Sequence, residues 1–65
     1  MNTEIREYIK NNFKDSSIDD LRESIVSSIE SKDELVLPGL GVLFEIFWNN
    51  SNNQEDILNI IKNKL

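Results

Sequence analysis

Few residues in this chain are placed to do chemistry. Pro38-Gly39-Leu40-Gly41 is a Gly-rich turn, and such a turn at a helix N-terminus can cradle a phosphate through its free N–H groups. Neither nucleotide fingerprint is complete, because the turn lacks the full GxGxxG pattern, a preceding strand and a following Lys. The two glycines fit a tight entry turn and a close helix contact better. The carboxylate pairs Asp19-Asp20 and Asp33-Glu34 are adjacent in sequence. Neighbours on a helix point about 100° apart and do not build a shared acid–base site. No run of alternating oxygen ligands around a Gly suggests a calcium loop. The chain has neither His nor Cys, which removes the usual general base, the commonest metal ligand and any thiolate nucleophile. No catalytic site, metal or cofactor is expected.

One charge stands apart. Glu45 is the single ionisable residue inside Leu37–Trp48, LPGLGVLFEIFW. It takes either the one exposed position of that segment or a buried place that needs Arg6 or Arg22 as partner. The same twelve residues hold the only Pro, both Gly, two of the three Phe and the only Trp. They form either the centre of a very small core or a surface built for a partner. The candidates for that role are Leu37, Pro38, Gly39, Leu40, Gly41, Leu43, Phe44, Glu45, Phe47 and Trp48. Aromatic anchors such as Phe47 and Trp48 dominate interfaces, and a homodimer would bury the same rings that a core would.

The elements that must position these residues read as an all-α pattern in one domain spanning 1–65. Ile5, Ile9 and Phe13, with Tyr8 beside them, predict a helix over about 3–13, capped by Asn2 or Thr3. Ile18, Leu21, Ile25 and Ile29 predict a second helix over about 18–31. Ser17 is its expected N-cap, with Asp19 and Asp20 in the first turn. Ser31–Glu34 reads as loop, and Pro38 should push Leu37 away from helical geometry before opening a third helix at its first position. A strand over Val42–Trp48 is the alternative, but with no second strand candidate its ladder would go unpaired. Asn49–Asn53 reads as a polar break, with Asn53 capping a fourth helix whose stripe is Ile57, Ile60, Ile61 and Leu65. Four short helices with brief loops make a plausible small bundle.

Composition narrows the function classes. A net charge of −5, with its cations scattered, opposes direct binding to nucleic acid phosphates. No apolar stretch approaches the roughly 20 residues of a membrane span. The start Met1-Asn2-Thr3-Glu4-Ile5-Arg6 does not resemble a signal peptide. A soluble intracellular protein is expected. At 65 residues without disulfides, the fold must rest on helix packing, reinforced if needed by self-association.

The block Leu37-Pro38-Gly39-Leu40-Gly41-Val42-Leu43-Phe44-Glu45, followed by an aliphatic residue, an apolar residue and Trp48, resembles the hallmark of the small acid-soluble spore protein type I family. The preceding Ile25-Val26, Ile29 and the acidic loop with Glu34 resemble it too, so the likeness runs from about Ile25 to Trp48. The resemblance implies a minor protein of endospore-forming bacteria, made in the developing forespore and retained in the spore core. It brings no catalytic site, and it implies a family distinct from the major DNA-protecting spore proteins. A structural or interaction component is the expected role; the alternatives are a helical adaptor acting through Leu37–Trp48 and a nucleic-acid-associated spore protein.

Overall fold

The computed structural model describes the backbone of residues 3–65 and side chains from residue 4. Four α-helices follow in order: α1 (Thr3–Phe13), α2 (Ile18–Ser31), α3 (Leu37–Asn50) and α4 (Gln54–Lys64), with a single 3-10 turn at Glu34–Val36. There is no strand among the described residues. The all-α expectation holds, and the strand reading of Val42–Trp48 does not.

Local chemistry accounts for α2. Ser17 sits in extended geometry and its Oγ accepts from the Asp20 N–H at 3.0 Å. Asp19 and Asp20 then complement the positive end of the helix. The helix stops at Lys32, which adopts the left-handed conformation at φ 54° without being a glycine. Of the two expected caps of α1, Asn2 lies outside the described residues and Thr3 is the first residue of the helix.

The connection from α2 to α3 departs from expectation. Ser31 Oγ donates to the Ser28 carbonyl at 2.9 Å, and Asp33 Oδ1 accepts from the Leu35 N–H at 2.9 Å. The chain therefore curls through a 3-10 turn, and the Leu37 N–H bonds the Glu34 carbonyl. Leu37 enters Pro38 already in right-handed helical geometry, φ −60° and ψ −42°. The steric preference imposed by the proline is outweighed by this run of turn hydrogen bonds. Pro38 is therefore the second residue of α3, not the first, and is still tolerated because an N–H in the first turn has no intrahelical partner to lose.

At the other end, α3 runs through Asn49 and Asn50, so the break is confined to Ser51–Asn53. Asn50 Nδ2 donates back to the Ile46 carbonyl at 2.8 Å. Asn53 is the N-cap of α4 by position, but its side chain makes no capping bond. Gln54 ties the corner instead, its Nε2 donating to the carbonyls of Trp48 at 3.1 Å and Ser51 at 2.8 Å.

The core is small. Only Val42, 1% exposed, and Ile57, 8% exposed, are buried among the described residues. The radius of gyration is 12.8 Å, against about 11 Å for a compact domain of this length. Helix α3 is the hub, with α1 its main packing partner.

Candidate functional site

The side of α3 that faces α1 is built from residues three apart, Gly39, Val42 and Glu45, which fall on one helical edge. Gly39 lets α1 come close: a Cβ there would meet Ile9 Cδ1 at 3.3 Å. Val42, one turn on from Gly39, is 1% exposed. One turn further, Arg6 of α1 holds Glu45 in a two-point pair, Nε to Oε1 at 3.0 Å and Nη2 to Oε2 at 3.1 Å. Both side chains are partly exposed, at 32% and 41%. The hydrogen bonds from Arg6 hold the Glu45 carboxyl below its ordinary pKa, with partial desolvation opposing and the charges of Arg6 and Lys10 assisting. The same hydrogen bonding raises the Arg6 guanidinium. Glu45 therefore has a partner, Arg6 rather than Arg22. Arg22 pairs with Asp19 on the surface at 2.7 Å.

The rings sit on other flanks of α3, Phe44 and Trp48 toward α4 and Phe47 toward the junction with α1 and α2. Phe44 and Phe47 meet edge to face with centroids 6.2 Å apart, and Phe44 lies 6.2 Å from Trp48 in a tilted arrangement. Trp48 is half-buried, while Phe44 is 45% and Phe47 50% exposed. Leu37 and Pro38 are exposed, and Gly39, Leu40, Gly41 and Leu43 are half-buried. Gly39 and Glu45 thus face α1, Leu37 and Leu40 line a hollow against the α2–α3 connection, Pro38 lies outside these, and the other candidates line two grooves. One groove, between α3 and α4, is walled by Phe44, Trp48, Leu58 and Ile61. The other, where α1, α2 and α3 meet, is floored by Phe13, Ile25 and Leu43 and walled by Phe47.

Sequence reasoning left out the most buried residue. Val42 belongs to the segment but not to the candidates, because the apolar spacing places the main helical face at Leu40, Leu43, Phe44 and Phe47, whereas the structure buries Val42 and leaves Phe44 and Phe47 about half exposed. The usable signal was the i, i+3 spacing from Gly39 to Val42 to Glu45, which aligns the glycine, the lone charge and a β-branched side chain. Tyr8, expected beside the α1 stripe, is 65% exposed. Of the expected α4 stripe only Ile57 is buried, while Ile60, Ile61 and Leu65 face outward. Among the described residues, no three His, Cys, Asp or Glu side chains converge as metal ligands, and no helix is long and apolar enough to cross a membrane.

The profile of the family described as small, acid-soluble spore protein I matches residues 3–65. The chain is 44% identical over 55 residues to a small, acid-soluble spore protein I of Halalkalibacterium halodurans, covering 85% of this chain and 81% of that relative. A namesake in Bacillus cytotoxicus is 40% identical over 67 residues, covering 100% and 96%. One in Bacillus mycoides is 44% identical over 55 residues, covering 85% and 80%. No solved structure matches significantly.

Proposed function

The chain belongs to the small, acid-soluble spore protein I family, and from that premise we propose that it is a non-enzymatic component of the spore core that works by protein contact through α3. The observation that carries this reading is the exposure of Phe44 and Phe47 on a helix whose residues are apolar nearly all round. A helix of that composition gains most when covered on more than one side, and its own chain covers it fully only at Val42. The lack of any His or Cys supports a role without catalysis, and the net charge of −5 disfavours a role on DNA.

Two measurements test it. A tagged chain should be recovered from the core of decoated dormant spores and be absent from vegetative cells; recovery with the coat fraction overturns the placement. A photo-crosslinking residue at position 47 should form a protein adduct inside spores, and the lack of any adduct overturns the contact role. The nucleic-acid alternative requires retarded DNA at low salt, with retardation fading as salt rises.

A further inference from the structure

We propose that the groove where α1, α2 and α3 meet is an interface for a second copy of this chain, with Phe47 of each copy entering the groove of the other. This rests on the contact role argued above and names its partner.

Three observations carry it. First, the chain exposes 5562 Å², whereas a folded monomer of 7.6 kDa is expected to expose about 4,300 Å². The surplus of roughly 1,300 Å² exceeds the share of about 800 Å² that each partner gives to a standard interface.

Second, two chains of charge −5 repel one another, so a self-interface must avoid the carboxylates. Among the described residues none lines this groove, and its only charged members are the exposed Lys10 and Lys14. The α3–α4 groove, in contrast, includes Glu45.

Third, a two-fold interface must be self-complementary. Here the half-exposed ring of Phe47 and the apolar hollow floored by Phe13, Ile25 and Leu43 lie on one face. A knob and its hole on the same patch are what a two-fold axis requires.

The experiment is sedimentation equilibrium of the full chain across the micromolar range. The expected result is a species of twice 7.6 kDa. Phe47→Ala should weaken its association by at least about tenfold, as loss of a buried aromatic anchor does. Leu58→Ala, altering the α3–α4 groove, should leave association within about twofold. Circular dichroism of each variant establishes that the helices persist. A wild-type chain of monomer mass at every concentration overturns the proposal, as does a dimer lost with Leu58→Ala but not with Phe47→Ala. If the chain is monomeric while the position-47 crosslinker captures a different protein in spores, the second copy is refuted and the contact role survives. If it is monomeric and captures nothing, both fail.

Discussion

Helices α2 and α3 have the same length, 14 residues each, and they hold their shape by different means. Helix α2 has a side-chain N-cap, two carboxylates in its first turn and no buried residue. Helix α3 has no side-chain cap, no acidic first turn and no basic last turn, but it contains Val42. The first is written in local chemistry that any isolated segment would carry. The second depends on what packs against it, chiefly α1, which meets it at Gly39 and Glu45. In so small a chain the hub is thus the element least able to stand alone. Two substitutions separate these modes, and a pH series on a third isolates the polar part of the α1–α3 contact.

The largest effect should come from Val42→Ala. It removes buried methyl groups at the one site where α3 is fully covered, and the destabilisation should be about 2 kcal/mol, in the lower range for trimming a core side chain. For a domain of this size that is a fall in Tm of about 8–16 °C, readable by thermal circular dichroism. If the fall were smaller than that caused by removing the α2 cap, burial would not be what holds α3.

Ser17→Ala should come next, at about 1 kcal/mol, because it leaves the Asp20 N–H without its 3.0 Å acceptor. Ser17→Asp should restore most of the loss, since its carboxylate can accept the same bond and suits the helix dipole. Failure of Asp to rescue where Ala destabilises would mean that the hydroxyl acts through something other than the cap.

The same division explains what could be read from the residues alone. Helix α2 lies where Ser17 and the Ile18, Leu21, Ile25 spacing place it, because cap and stripe are neighbours in sequence. The limits of α3 were harder, since both depend on hydrogen bonds from outside the helix: the Asp33 turn that curls Leu37, and Gln54 closing the corner at Trp48. The Arg6–Glu45 pair spans 39 residues. Nothing local distinguishes Arg6 from Arg22 as partner; the choice is made by α1 lying against α3. The burial of Val42 is not legible locally: the spacing of Leu40, Leu43, Phe44 and Phe47 marks a different face, whereas the close approach permitted by Gly39 is a property of two helices together.

The smallest effect concerns that pair and has a defined sign. Arg6 lowers the Glu45 pKa in the folded chain, so near the ordinary Glu value, about 4.3, the unfolded chain binds the proton more readily. Stability from this group is then complete above that value and lost as pH falls through the lower, folded one. Glu45→Gln keeps the size of the side chain and removes its charge. The variant should therefore be less stable than the parent at pH 7, and the gap should close on acidification until the two melt alike below the folded pKa. Arg6 is raised still further above the accessible range, so it adds no pH dependence of its own between pH 2 and 9. Because both side chains are partly exposed, at 32% and 41%, the gap at pH 7 should also narrow in about 1 M salt, where the screening length is about 3 Å. A gap independent of both pH and salt would assign the loss to packing of the Glu45 stem against α1, leaving the α1–α3 contact wholly apolar in origin.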